Sequence, residues 1–197
     1  MDYVSTLKQI SASHGGIIDN KTAAAHGISR AALAELCAED KIQRIARGQY
    51  VFREDMQDEL LSIDMRSNLF VFSHETALFL HGISDRTPFV HTITAPSGKV
   101  PSGAIQKVCK IYYIKPDLFD LGKTTLRTPA GNSVAGYDLE RTVCDIIRSR
   151  NRVGSETFLA ALRLYAASSE KDLNKLNRYA AKMKIAGVVR KYLEVLL

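Results

Sequence analysis

Apolar positions along the chain change period several times, and each change marks an element. Val4, Leu7 and Ile10 recur at helical spacing, so a first helix capped by Asp2 is expected to run up to His14-Gly15-Gly16. Ile17 and Ile18 then suit a short strand. Lys21 to Phe52 reads KTAAAHGISRAALAELCAEDKIQRIARGQYVF. Here Ala23 is small enough to let a second helix approach, and Ile28, Leu33, Leu36 and Cys37 fall where that helix buries its inner face. Gly27 is free to take the positive φ that ends the first helix, and Ser29 can cap the second. Thr22 and His26 fit less well, because such a first helix more often carries aliphatic residues there. Two short runs follow, Ile42 to Ala46 and Gln49 to Phe52, joined by Arg47-Gly48. A glycine in that turn suits a two-residue hairpin. Helix, turn, helix and hairpin in this order predict a winged helix-turn-helix over residues 1–53.

Residues 54–68 read as an acidic connector helix with Met56, Leu60, Leu61 and Ile63 apolar, and residues 69–197 as a second domain. Leu69 to Gly82 predicts a short strand, Ser73 as a cap, a helix of two turns and a glycine stop. After a turn at residues 84–88, strands are expected at Phe89 to Thr94 and Val108 to Ile114, with weaker ones at Thr124 to Thr128 and Ser133 to Val134. From Tyr137 the pattern turns helical. Asp138 caps a helix through Arg150, Ser155 caps another, Ser169 and Asp172 start a third, and Val188 to Leu197 closes the chain with LEVLL docked on the core. The fold class is α+β: an N-terminal winged helix-turn-helix followed by a mixed α/β C-terminal domain with a small sheet and a helical C-terminal half.

The second helix of the winged motif carries the first candidate chemistry. Burying Leu33, Leu36 and Cys37 leaves Ser29, Arg30, Ala31, Ala34 and Glu35 on the other side. A helix lying in a major groove about 12 Å wide benefits from short side chains flanking one long donor, which makes Arg30 the natural guanine reader. Glu35 points either at a cytosine amino group or away from DNA. Lys41, Gln43, Arg44, Arg47 and Gln49 decorate the hairpin for phosphate or minor-groove contact, while Ile42, Ile45, Tyr50 and Phe52 can pack inward. Lys21 and Thr22 complete the candidate DNA-binding residues. A candidate second basic surface combines Lys171, Lys175, Arg178 and Lys182, spaced along one helix face, with Arg148, Arg150 and Arg152 just upstream. It could hold a DNA backbone or an acidic partner.

Catalytic constellations fail on their spacing. His74-Glu75 begins like a metalloprotease helix, but Leu78 stands where the second histidine must be, so His74, His81 and His91 are expected to cap or pack. Ser97-Gly98-Lys99 lacks the leading glycine of a phosphate loop, since position 93 is Ile. Gly154-Ser155 could open a nucleotidyltransferase motif, but Leu164-Tyr165-Ala166-Ala167 offers no carboxylate pair for Mg²⁺. Asp117, Asp120 and Glu140 lack the acid-x-lysine pair of a nuclease. No enzyme activity, metal or cofactor is expected.

Charge and cysteine usage narrow the setting. The 197 residues carry a net charge of +6, which permits a polyanionic partner, and the excess divides as +2 up to Arg53 and +4 beyond it. Cys37, Cys109 and Cys144 are widely spaced and odd in number, which points to reduced thiols rather than a disulfide framework or zinc site. The polar, amphipathic start MDYVSTLKQI and the lack of any long apolar run predict a cytoplasmic protein with no membrane partner.

Several stretches together resemble one family. SHETALFLHGISDRTPFVHTITAPSG at 73–98, YDLERTVCDIIRSR at 137–150, EKDLNKLNRYAAKMKI at 170–185, the closing YLEVLL and the winged segment ending in ARGQYVF are similar to the AbiEi antitoxins of bacterial abortive-infection systems. The resemblance implies a two-part protein encoded beside a nucleotidyltransferase-type toxin. The winged helix would bind inverted repeats in double-stranded DNA of its own promoter and repress it, and the C-terminal domain would supply antitoxicity in phage defence. It further implies a type IV system, in which antitoxin and toxin need not form a stable complex. Inverted repeats imply two copies meeting on the DNA. A protein-interaction module that neutralises a toxin by direct binding, without sequence-specific DNA binding, is the alternative reading.

Overall fold

The computed structural model describes residues 3–84 and 86–193. The Asp2 cap, Asp85 of the expected turn and the last four residues of LEVLL lie outside the described residues. Two compact units are present, Met1–Arg66 with Ala130–Asn132, and Ser67–Pro129 with Ser133–Leu197.

In the first unit, α1 (Tyr3–Ser13) is followed by β1 (Ile18–Asp19), α2 (Asn20–Ala25), α3 (Arg30–Ala38), the hairpin β2 (Ile42–Ala46) and β3 (Gln49–Phe52), and α4 (Glu59–Asp64). Strand β3 lies between β1 and β2 and is antiparallel to both. This is the winged helix-turn-helix expected from the pattern. Its corner has a specific construction. The Ile28 N–H reaches back to the Ala23 carbonyl at 3.0 Å and the Gly27 N–H to the Ala24 carbonyl at 3.0 Å, with Gly27 at φ +76°. That is the bonding of a Schellman turn, and its hydrophobic pair is Ile28 and Ala23, both buried. Leu7, Ile10, Ile18, Leu33, Leu36, Ile42, Tyr50 and Phe52 complete the core around this corner. Thr22 and His26 fit because α2 is short. Thr22 sits in the first turn, where its hydroxyl donates to Asp19 at 2.5 Å, and His26 is the exposed C-cap.

The expected connector helix is shorter than its apolar spacing suggested. Asp58 accepts the Leu61 N–H at 3.1 Å and starts the helix at Glu59, so Met56 stays outside it and exposed. Helix α4 is tied to the wing sheet: Gln49 donates to the Ser62 carbonyl at 3.1 Å and accepts the Ser62 hydroxyl at 2.8 Å.

The second unit is built on a mixed sheet in the order β6-β5-β4-β8-β7. Its strands and helices follow as β4 (Val71–Phe72), α5 (His74–Leu80), β5 (His91–Pro96), α6 (Gly103–Gln106), β6 (Cys109–Ile114), β7 (Lys123–Arg127), β8 (Ser133–Tyr137), α7 (Leu139–Arg148), α8 (Ser155–Ala167), α9 (Leu173–Lys182) and α10 (Ala186–Leu193). The pairs β5–β6 and β4–β8 are parallel, whereas β4–β5 and β7–β8 are antiparallel. Helix α6 occupies a stretch expected to be loop. Helix α9 starts three residues later than Ser169, because Asp172 accepts the Lys175 N–H at 2.8 Å while Ser168 holds the preceding turn through the Glu170 N–H.

Helix α7 is the centre of this unit, buried from Leu139 to Ile147. Its apolar side joins α5, α8, α9 and α10 in one core. Three of its charged residues, Glu140, Arg141 and Asp145, are buried too, and each has a partner of opposite charge. Arg141 pairs with Asp145 at 3.0 Å, donates to the Leu118 and Leu121 carbonyls, and lays its guanidinium 3.9 Å from the Tyr137 ring centroid. Gly122, at φ +75°, makes room for it: a Cβ there would lie 2.6 Å from that of Arg141. Glu140 takes the Asp172 N–H at 3.0 Å and Lys175 at 3.0 Å, and so anchors the start of α9.

Two substitutions test these supports. Gly27→Ala forces a β-carbon into the left-handed region and is expected to lower the free energy of unfolding by about 1–2 kcal/mol, read as a lower urea midpoint at unchanged slope. Arg141→Met leaves Asp145 buried without a counter-charge and is expected to cost about 3–5 kcal/mol in the same measurement.

Candidate nucleic-acid interface

The start of α3 is set by the chain before it. Ser29 leaves the Gly27 corner in an extended conformation and accepts the Ala32 N–H at 3.1 Å, which fixes Arg30 as the first helical residue. Ala32, Leu33 and Leu36 face the core. Ser29, Arg30, Ala31, Ala34 and Glu35 are all exposed, the set expected from the pattern except that Ala32 is buried and Cys37 only half-buried. The N-terminal half of α3 therefore presents one long cationic side chain among short ones.

Helix α2 is held by a cap that the apolar pattern does not reveal. Asp19 accepts the backbone N–H of Lys21 at 2.9 Å and of Thr22 at 3.0 Å, besides the Thr22 hydroxyl. Burial pushes the Asp19 carboxyl toward the neutral form, but the hydrogen bonds from Thr22 and Lys21 outweigh it and its pKa falls below the usual carboxylate value. The signal lay in the residue type, an aspartate directly before a helical run. Lys21 is exposed. Thr22 is a correction: its only side-chain proton is committed to Asp19, so it has no donor for phosphate.

On the wing, Gln43, Arg44 and Arg47 are exposed. Arg44 donates its Nε to the Ala46 carbonyl at 3.2 Å, across the irregular register near the turn, which leaves its terminal nitrogens outward. Lys41 is exposed and pairs with Glu39 at 2.8 Å. Gln49 is the second correction. It is 5% exposed, because β3 is the central strand and all four of its residues are buried, so the in-out alternation read from the sequence fails there. Its amide serves Ser62. Among the described residues, Lys21, Arg30, Arg44 and Arg47 have no acidic partner, whereas Arg53 is paired with Asp40.

The second basic surface is not one ridge. Lys175 is bound to Asp138 at 3.1 Å and Glu140 at 3.0 Å. Burial alone would lower its pKa, but the hydrogen bonds to Glu140 and Asp138 hold it above the usual lysine value. The sequence pattern missed this because the two acids lie on another helix. Lys171 reaches the Ser168 carbonyl at 3.0 Å, and Arg178 and Lys182 are exposed. Arg148, Arg150 and Arg152 are exposed at and beyond the end of α7. Among the described residues, no group of three or more histidine, cysteine or acidic side chains stands close enough to hold a metal ion, and no helix is long and apolar enough to cross a membrane.

The chain resembles a solved structure throughout most of its length. The crystal structure of the RV2827C protein from Mycobacterium tuberculosis matches 92% of this chain and 72% of that one at a TM-score of 0.65 and 16% identity, a likeness of fold. No curated protein sequence matches the chain. Residues 5–53, most of the winged segment, match the model of a family described as "Transcriptional regulator, AbiEi antitoxin", and over this stretch the chain is similar to the AbiEi antitoxin regulators.

Proposed function

We propose that this protein is a DNA-binding antitoxin that represses its own operon. The winged unit reads inverted repeats in the promoter, one copy at each repeat, and the C-terminal unit restrains a nucleotidyltransferase-type toxin in phage defence by abortive infection. The reading places it in a type IV system without a stable toxin complex. It assigns the protein no enzyme activity and places it in the cytoplasm.

The observation that carries the DNA-binding part is the exposed, acid-free Arg30 at the start of α3, flanked by Ala31 and Ala34, with Arg44 and Arg47 unpaired on the adjoining hairpin. The helix supplies base readout and the hairpin supplies charge for phosphate, the two kinds of contact that specific binding combines. The family match over residues 5–53 supports the same reading. The antitoxin part rests on the family resemblance.

A gel shift of the protein against the duplex upstream of its own gene, beside a scrambled duplex, tests the reading. With about six phosphates neutralised, log affinity is expected to fall against log salt with a slope of about −5, and a slope near zero would overturn it. Arg30→Ala is expected to reduce the preference for the upstream duplex. Arg44→Ala and Arg47→Ala should instead weaken both duplexes equally and each reduce the slope by about 1. Gln49→Ala serves as the contrast. It removes the partner of Ser62 and is expected to lower unfolding free energy by about 1–3 kcal/mol without changing the salt slope.

A further inference from the structure

Directly before β5, the ring of Phe89 is fully exposed, at 109%, and Val90 beside it is exposed at 52%. A single apolar side chain in water needs no explanation. Phe89 does, because a hollow fit for an aromatic ring lies on the same unit, with Arg86, three residues before Phe89, at its lip.

The hollow follows from how two helices meet. Helix α5 ends at Gly82, at φ +68°, where the Ile83 N–H reaches back to the Leu78 carbonyl at 3.0 Å. Leu78 and Ile83 thereby join Ala161 of α8 in the core. Because α8 carries two alanines in succession here, Ala160 and Ala161, a hollow of about 120 Å³ remains between it and the end of α5. The buried Leu78, Ile83 and Ala161 form its floor, and Arg86 and Glu156, an exposed pair 3.4 Å apart, stand at its lip. The Ser84 hydroxyl donates to the Arg86 carbonyl at 2.9 Å and accepts the Arg86 N–H at 3.3 Å, which fixes the turn at the lip. An apolar cavity of about 150 Å³ takes a benzene molecule, so an open-mouthed hollow only slightly smaller takes a phenyl ring inserted by its edge. One unit thus carries both a protruding ring and a hollow for one. A two-fold interface joins such patches, because a residue on each copy meets its counterpart's receptor on the other. A foreign aromatic group would fill the hollow and leave Phe89 in water, whereas a second copy buries both. Charge agrees. The unit as a whole is positive, which sets two copies against each other, but the lip holds one cation and one acid, so Arg86 of each copy can face Glu156 of the other.

We propose that this chain associates with a second copy of itself through the C-terminal unit, Phe89 of each copy entering the hollow between Leu78, Ile83 and Ala160 of the other. An aromatic side chain buries about 150–250 Å². Two of them fall short of the roughly 1,200–2,000 Å² of a lasting interface, so the dimer is weak and forms at high concentration or where two copies are held close together. The contact needs no DNA. On inverted repeats it would join the two copies that the operator reading places there.

The test is sedimentation velocity of the full chain without DNA, from about 5 to about 500 μM, the range in which weak interfaces become populated. The sedimentation coefficient is expected to rise with concentration toward that of a dimer. Phe89→Ala, at a fully exposed position, and Ala160→Leu, which fills the hollow from an exposed helical position, should each weaken association about a hundredfold or more, since about tenfold or more is lost at each of two contacts. Circular dichroism checks that both variants keep the fold. Mixed together, the two variants regain one contact, the Phe89 of one with the hollow of the other. They should therefore associate with each other about tenfold better than either does with itself. A chain that stays monomeric throughout the range, association indifferent to either substitution, or a mixture no better than its parts overturns the proposal. Association kept by Phe89→Ala and lost by Ala160→Leu overturns it too, since a different group would then enter the hollow. With no DNA present, neither result bears on the gel shift.

Discussion

One backbone hydrogen bond, from the Ile28 N–H to the Ala23 carbonyl, carries the winged unit. It closes the turn only because Gly27 adopts a positive φ, and it draws Ile28 and Ala23 together in the core. With that corner closed, Ser29 is placed to cap α3, Ala32, Leu33 and Leu36 must face inward, and Arg30 is left outward at the start of the helix. The outward arginine is thus positioned by a chain of local constraints. A different angle at the corner would turn a different face of α3 to solvent.

The second unit meets a different constraint. A helix buried from Leu139 to Ile147 must pair every charge it buries, because an unpaired buried charge costs several kcal/mol. Arg141 does so with an acid one turn away, two carbonyls and an aromatic face. Glu140 does so with the N-terminus of α9 and Lys175. These bonds dictate where α9 begins and hold it against α7. They also remove Lys175 from the basic surface.

Acid pairing, more than the count of lysines and arginines, decides which cations are open to a partner. Lys41, Arg53, Lys110 and Lys175 each have a carboxylate within 4 Å. Arg30, Arg44, Arg47, Arg148, Arg150 and Arg152 do not, among the described residues. The net charge of +6 divides as −2 on the first unit and +8 on the second, yet the six arginines just named lie on α3, on the hairpin and at the end of α7. The family match reaches only the first two of these places.

Local chemistry was legible in the chain. The Gly27 corner, the Ser29 cap and the bounds of the hairpin strands depend on residues within a few positions of one another, so periodicity and turn chemistry reveal them. The Asp138 and Asp172 caps follow the same rule. What the sequence could not reveal is burial by distant elements. Gln49 looks like an outward wing residue until α4 covers it. Lys175 looks like part of a free ridge until Asp138 and Glu140 meet it, and the partners that enclose His74, Tyr112 and Ser149, lie far from it in the chain. By itself the sequence determined most of the elements, their order and the outward placement of Arg30, because those rest on local stereochemistry and hydrophobic period. Only the tertiary structure decided which polar side chains stay available, because desolvation and ion pairing depend on groups far away in the chain.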